Sequence, residues 1–381
     1  MDFSLTEQQQ SLRREIIRFA QSELNEQVRD RDRDQSFSHD LWRKCAAVGL
    51  AGLPVPVEYG GSGLDPLSCA MVLDAFGYGC HDSGLAFSLA AHLCACVVPI
   101  WLHGTDEQKQ RYLPGLCNGT LIGSHAMTEP DSGSDAFAMR TTAVPHGTGF
   151  RLRGSKTFIT NAPIADLMLV LARTDPTTGS LGGVTGFLLE PGLAGLRIGP
   201  AQRKMGLRTA PLSEVSLEDV YVPDSAVLGQ VGGGATVFTT GMDWERIGLF
   251  AAHLGTMERL LQHSIQYART RHQFGQPIGK FQAISHRIAD LSALLEAVRL
   301  LLYRAAWQLG RSRRVSLDAA MAKLLVSETL VQVALATVQI HGGYGYMEGE
   351  SERALRDAVG STLYSGTSEM QRNIIARWLG L

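Results

Sequence analysis

The sequence predicts an α+β chain with a helical N-terminal domain at 1–120, a small middle β domain at 121–231 and a C-terminal helical bundle at 232–381. Three observations carry this. Of the 14 prolines, five fall before residue 120, eight lie between Pro130 and Pro223, and only Pro277 follows. Apolar residues recur with helical spacing in the two outer thirds. In the middle third, short runs with strand character alternate with turn clusters.

At 381 residues the chain exceeds a single core of about 150 residues, which suggests several domains sharing an interface. With 45% hydrophobic and 19% charged residues it has the balance of a folded soluble enzyme, and disorder is excluded as its main state. A net charge of -2 lacks the basic surplus that nucleic acid requires of a partner. The opening MDFSLTEQQQ has neither the basic nor the apolar region of a secretory signal. Cys45, Cys69, Cys80, Cys94, Cys96 and Cys117 show no C-x-x-C spacing, so neither a metal site nor a disulfide framework is expected. A cytoplasmic location fits both readings.

In chain order, Ser4 and Glu7 have capping-box spacing, and Leu12, Ile16, Phe19, Ala20 and Leu24 then mark one helical face. The run Arg29 to Asp34 alternates in sign and reads as a solvated, salt-bridged face. PVPVEYGGSG, from Pro54 to Gly63, breaks the helical pattern. The apolar stretch Leu85 to Leu102 carries Ser88, His92 and Pro99, and is expected to be a buried core helix with no membrane as partner. FRLRGSKTFIT, LMLVLAR, TGFLLE and SEVSLEDVYV are the expected strands. Gly232-Gly233-Gly234 lacks the Lys-Ser/Thr ending of a phosphate loop and reads as an interdomain hinge. Beyond it, helical patterns run from Ile247 to Leu261, from Ile288 to Leu309 and from Ala319 to Ile340.

Four segments combine glycine, hydroxyl and charged residues: AMTEPDSGSD (126–135), KTFITNA (156–162), RTRHQFGQPIGKFQA (269–283), and QIHGGYGY (339–346) with LYSGTSEMQR (363–372). Backbone N–H groups near Gly133 and Gly342-Gly343 allow close approach of anionic oxygens, and Thr128, Ser134, Thr160 and Thr367 offer neutral hydrogen bonds. A phosphorylated cofactor with a polar ring suits this combination. Taken singly, such Gly-Ser-Asp runs are turns.

In this order, over essentially the whole chain, the segments resemble the acyl-CoA dehydrogenase family. The resemblance implies the α+β fold of that family, with a middle β-sandwich or barrel domain and a C-terminal four-helix bundle, and with noncovalent FAD and a homotetramer. It implies that His125, Ala126, Met127, Thr128, Gly133 and Ser134 contact the flavin, that Ser134 also faces substrate, and that Phe158 and Thr160 cover the isoalloxazine ring. By the same resemblance Arg271, Phe274 and Gln282 reach the pyrophosphate and adenosine end of a neighbouring subunit's FAD. Gln339, Gly342 and Gly343 then make an adenine-side contact, while Thr367 and Glu369 touch the cofactor from the C-terminal loop. The implied chemistry removes a proton α to a thioester carbonyl while the β hydrogen leaves as hydride to the flavin.

The commonest family pattern places the catalytic glutamate before the Gly-Thr-Ser of the C-terminal loop, where this chain has Ser365. A serine without its own base cannot take that proton at neutral pH. Isovaleryl-CoA and long-chain relatives carry the base in a segment similar to GMDWERIGL, which puts it at Glu245. The backbone N–H of Ser365 is then the enolate-stabilising donor, and its side chain is expected to matter little. Asp243 and Arg246 match residues that touch the pantetheine or nucleotide side of the substrate, although Arg246 equally suits a structural ion pair.

MDWERIGL through QFGQPIG and the tail SGTSEMQRNIIARWLGL look most like the subgroup acting on carrier-tethered groups, with prolyl-carrier-protein dehydrogenases of natural-product biosynthesis foremost. The expected partner is therefore an acyl or peptidyl carrier protein, or else an acyl-CoA. Electrons would pass to an electron-transfer flavoprotein or to oxygen. The alternative reading is a short branched-chain acyl-CoA dehydrogenase. A flavin-free scaffold is disfavoured by the flavin-contact segments, and a nitroalkane-oxidising relative by the glutamate at 245. His92, His253 and His341 are read as structural, and Met127, Met205, Met242 and Met257 as packing or pocket lining.

Overall fold

The computed structural model describes residues 5–178, 182–312 and 315–381. The first helical layer comprises α1 (Glu7–Glu23), α2 (Val28–Asp34), α3 (His39–Ala47), α4 (Pro66–Gly79), α5 (Ser83–His92), α6 (Val98–His103) and α7 (Asp106–Cys117). Ser4 of the expected capping box lies outside the described residues. The cap of α1 is instead a Thr6/Gln9 box: the Gln9 N–H donates to Thr6 Oγ1 at 3.2 Å, and Gln9 Oε1 accepts from the Thr6 N–H at 3.0 Å. Thr6-x-x-Gln9 satisfies the same reciprocal rule two residues further on. Ile16, Ala20 and Leu24 are buried as their spacing requires.

The charged run on α2 is only partly solvated. Asp32 is buried and paired with Arg356 at 2.7 Å, while Arg31 reaches Asp82 at 3.2 Å. The Arg33 contacts to Asp30 and Asp34 and the Arg29 pair with Glu348 form the exposed face that the alternating signs suggested. Sign alternation puts every second charge on a different helix face, and one of those faces meets the protein.

Most of Leu85 to Leu102 is buried core, as expected, but Leu102 itself is exposed at the end of α6. Five residues between α5 and α6, Leu93–Val97, form a π turn just before Pro99. Proline donates no N–H and its ring crowds the carbonyl four residues back, so the ladder widens there. The segments Ser83–His103 and Ser316–His341 are long and apolar enough to cross a membrane, but 78% and 61% of their most apolar windows are buried inside the protein.

The middle of the chain forms β1 (Gly123–Ala126), β2 (Thr142–Pro145), β3 (Gly149–Thr160), β4 (Leu167–Arg173), β5 (Val184–Leu189), β6 (Leu196–Ile198), β7 (Leu212–Pro223) and β8 (Val227–Leu228). They make one eight-stranded sheet in the order β6-β7-β3-β2-β4-β5-β8, with β1 parallel to β4. Strand β4 is buried on both faces: Leu167, Leu169 and Leu171 join the helical core, while Met168, Val170 and Ala172 join a separate β core with Phe150, Leu152 and Phe187. The period of two thus assigns alternate residues to the two cores.

After the sheet come α8 (Gly234–Thr270), the short pair β9 (His272–Gln273) and β10 (Gln276–Pro277), α9 (Gln282–Leu309), α10 (Ser316–His341), α11 (Gly343–Tyr346), α12 (Glu350–Ser361) and α13 (Ser368–Trp378). The triple glycine is a close approach between sheet and helix. The Gly232 N–H donates to Thr185 Oγ1 at 2.9 Å, and a Cβ on Gly234 would meet the Val184 carbonyl oxygen at 2.8 Å. Helices α4 and α8 also touch backbone to backbone, since a Cβ on Gly77 would lie 1.8 Å from the Ala252 carbonyl oxygen.

Candidate active site

Helix α8 presents Glu245 and Arg246 toward the loop between α12 and α13 and Asp243 toward the start of α10, and all three are buried. The Ser365 hydroxyl donates to Glu245 Oε1 across that gap. Arg246 Nε donates to the Ser365 carbonyl at 3.3 Å, and Gln371 Nε2 donates to the same oxygen at 3.2 Å. Ser365 adopts a left-handed backbone with φ of 57°, and among the described residues nothing accepts from its N–H. The Ser365 hydroxyl thus ties a buried carboxylate to a residue whose backbone N–H is left without a partner among the described residues.

Burial pushes the Glu245 carboxyl above the usual range, while the Ser365 hydroxyl, Arg246 and Lys323 pull it back. Asp243 accepts from Ser316 Oγ at 2.8 Å and stands 3.5 Å from Arg246, so this pair makes the structural ion pair that was one of its two readings. Lys323 on α10 is fully buried, without a hydrogen-bond partner, and lies 5.4 Å from the Phe250 ring centroid. Sequence reasoning missed it, because a lysine inside MAKLLV carries no sign that it faces inward.

The second group of residues surrounds β1 and the bulged end of β3. His125 is half-buried against Phe238, with ring centroids 6.1 Å apart, and Ala126 and Met127 are buried. Thr128 is half-buried and its carbonyl accepts from the Thr157 N–H at 2.9 Å; Gly133 and Ser134 are exposed. Lys156 underpins this loop by donating to the Met127 carbonyl at 3.0 Å and to Glu129 at 2.8 Å. The β3–β7 register shifts between Lys156 and Ile159, and Phe158 there has φ of 57° with 64% of its surface exposed. Thr160 follows, half-buried. A bulge re-aims a side chain, and this one turns a phenylalanine out of the sheet.

The third group sits apart, at the far end of α8. Arg271, Gly342 and Gly343 line a depression of about 520 Å³ with Tyr267, His341 and Tyr344. Gly342 has φ of 60°, and a Cβ on either glycine would meet nothing within 4 Å. Gln282 and Gln339 are exposed, and Phe274 is 93% exposed with φ of 52°. Thr367 caps α13 by accepting from the Met370 N–H at 3.2 Å, and Glu369 is exposed beside it. The predicted residues thus fall into separate clusters within one chain.

The histidines are structural in their contacts. His92 bridges the Leu116 carbonyl at 3.1 Å and the Gly123 N–H at 2.8 Å, and burial lowers it to about 4. His253 meets the Tyr364 hydroxyl at 2.7 Å, with burial lowering it to about 3, and His341 Nδ1 contacts the Thr337 carbonyl. Met127, Met242 and Met257 are buried, but Met205 is 58% exposed and packs no core. It sits in the loop that receives Arg356, which donates to its carbonyl. All six cysteines are free and buried, and no cluster of metal-ligating side chains occurs among the described residues.

Comparison with known proteins places these features in a family. Residues 6–120, 124–220 and 232–380 match the N-terminal, middle and C-terminal domains of acyl-CoA dehydrogenase. The chain is 43% identical over 382 residues to the L-prolyl-[peptidyl-carrier protein] dehydrogenase of Serratia sp. (strain ATCC 39006), covering 100% of this chain and 99% of the relative. The crystal structure of the prolyl acyl carrier protein oxidase AnaB superposes with a TM-score of 0.97 at 44% identity, covering 99% of this chain and 100% of that one. The structure of PigA with FAD and proline gives a TM-score of 0.97 at 42% identity, with both chains fully covered.

Proposed function

The chain belongs to the acyl-CoA dehydrogenase family, and from that premise we propose that it oxidises the Cα–Cβ bond of a prolyl thioester tethered to a peptidyl carrier protein, in natural-product biosynthesis. The observation that carries the reaction is the buried Glu245 carboxylate bonded by the Ser365 hydroxyl, on a residue whose own backbone N–H is unpartnered among the described residues. The full-length likeness to prolyl-carrier enzymes carries the substrate.

FAD is the cofactor, and when bound it supplies a hydride acceptor at its N5 position. The residues present fit it. Phe158 offers an exposed aromatic face beside the β1 loop, and Arg271, which has no carboxylate partner among the described residues, stands beside the open backbone of Gly342-Gly343. A cation next to glycine backbone with no other atom over it suits a pyrophosphate. In this reading His125, Ala126, Met127, Thr128, Gly133, Ser134, Phe158 and Thr160 hold the flavin end. Arg271, Phe274, Gln282, Gln339, Gly342, Gly343, Thr367 and Glu369 hold cofactor across a homotetramer interface.

Glu245 takes the α proton, and its raised affinity for protons brings it nearer to so weak an acid. The Ser365 N–H donates to the thioester oxygen as charge builds there. Arg246 holds the loop that carries this donor by its contact with the Ser365 carbonyl. A second oxidation of the ring would complete a pyrrole. Electrons leave to an electron-transfer flavoprotein or to oxygen, and the six free thiols agree with a cytoplasmic site.

The test is anaerobic bleaching of the flavin band by prolyl-loaded carrier protein against isovaleryl-CoA. Fast bleaching by the carrier alone supports the proposal. Bleaching by the CoA ester alone makes the protein a short branched-chain acyl-CoA dehydrogenase.

A further inference from the structure

Ser365 stands where the commonest family pattern has its glutamate, and sequence reasoning left its side chain without a task. The structure gives it one. Its hydroxyl donates to Glu245 Oε1, its carbonyl is held by Arg246 and Gln371, and its left-handed backbone turns the side chain toward α8. Both residues are buried, Ser365 at 8% and Glu245 at 9% exposure, so little water competes for the bond.

We propose that Ser365 is a positioning residue acting through its side chain, its hydroxyl fixing the Glu245 carboxylate against the loop that carries the backbone donor. This rests on Glu245 being the base. One residue then sets both halves of the reaction geometry: its N–H meets the thioester oxygen, and its Oγ aims the carboxylate at the neighbouring α carbon. A carboxylate on a helix has free rotamers, and tethering it removes the ones that point away from the gap.

The other groups facing Glu245 cannot do this. Arg246 from α8 and Lys323 from α10 act on it through charge, without a hydrogen bond to it, while Cys94 from the turn after α5 and Tyr364 from the loop stay neutral beside it, their ionisation opposed by the carboxylate, and Asp243 is engaged by Arg246 and Ser316. Arg246 and Lys323 favour its ionised form together with the hydroxyl, and burial opposes them. Loss of the hydroxyl therefore leaves a carboxylate that is freer to rotate and easier to protonate.

Two substitutions test this in the FAD-loaded enzyme. Ser365→Gly keeps the backbone N–H and suits the left-handed conformation, so it folds, and Ser365→Ala removes the same hydroxyl with a Cβ retained. The readouts are the infrared titration of the carboxyl band that disappears in Glu245→Gln, and the pH profile of flavin reduction in a single turnover. A hydrogen bond to a charged group corresponds to a shift of about one pH unit or more, so both midpoints should move upward by that amount in both variants. The high-pH plateau should also drop, through misplacement of the base. Unmoved midpoints with an unchanged plateau would overturn the proposal. If Glu245→Gln still reduces flavin at the parental rate, the base assignment falls instead, and the infrared titration alone decides the Ser365 bond.

Discussion

Lys156 of β3 donates at 2.8 Å to Glu129 inside the protein, with 0% and 6% of the two side chains exposed. Glu129 also accepts from the N–H groups of Arg140, at 2.6 Å, and Thr141, at 3.0 Å. With the Lys156 bond to the Met127 carbonyl, this pair fixes both ends of the segment that would lie along the flavin.

Burial works against the Glu129 carboxylate, but Lys156 and the two N–H donors win, leaving it below its usual range. Its contribution to stability is complete above the ordinary glutamate pKa of about 4.3 and is lost as pH falls through the lower folded value. Lys156→Met leaves this carboxylate buried without its cation and should cost about 3–5 kcal/mol. Urea unfolding at pH 7 measures the loss. FAD should leave the variant during gel filtration that the parent survives.

Glu245→Gln removes the proton acceptor and keeps the shape. Flavin reduction should fall by about 100- to 10,000-fold, the usual reach of a general base. In the parent the acid limb of the reduction rate should lie above the ordinary glutamate range, because burial raises Glu245. Stopped-flow traces from pH 5 to pH 9 check both; a limb at or below the solution value for glutamate would contradict the burial argument.

Much of this site was legible because it consists of local words. TEPDSGSD, TRHQFGQPIG and IHGGYGY keep their residues adjacent, and the helix, β, helix order follows from proline spacing and periodicity. What stayed hidden depends on pairs far apart in the chain. Glu129 and Lys156 are 27 positions apart, Glu245 and Ser365 are 120, and Asp32 and Arg356 are 324. No periodicity links such positions. The Thr6/Gln9 cap was missed for a different reason: Ser4/Glu7 fits the same four-residue pattern, and only backbone geometry separates them. The triple glycine reads as an interdomain hinge, and the space that Gly234 leaves for the Val184 carbonyl is a further role that no spacing rule encodes.

Phe158 spends surface on solvent, at 64% exposure, and adopts φ of 57° at a bulge. A bulky residue in that region is strained by about 1–3 kcal/mol, which the fold tolerates where a partner covers the ring. Phe158→Ala should therefore weaken FAD retention at least about tenfold, as expected when an aromatic contact worth over 1 kcal/mol is lost. The thermal midpoint of the FAD-stripped protein should stay within a degree or two, since the side chain packs little of the core. Equilibrium dialysis and calorimetry separate the two effects.

Lys323 is the charge the fold holds at a disadvantage. Its ammonium is fully buried over Phe250 with no hydrogen-bond partner, and burial followed by repulsion from Arg246 lowers it to about 8. In the unfolded chain a lysine titrates near 10.4. Below about pH 8 both states are protonated and the penalty is fully present, and between about 8 and 10.4 the unfolded chain binds more protons, so stability rises with pH. Lys323→Met keeps the length of the chain and removes the charge, and should add about 1–3 kcal/mol at pH 7 while abolishing the rise toward pH 10. Denaturant curves at fixed protein and FAD concentrations, at pH 7 and pH 9.5, read both changes. Because Lys323 also favours the ionised Glu245, the same substitution should move the acid limb of flavin reduction to higher pH, so the cation that costs stability is retained for the base it faces.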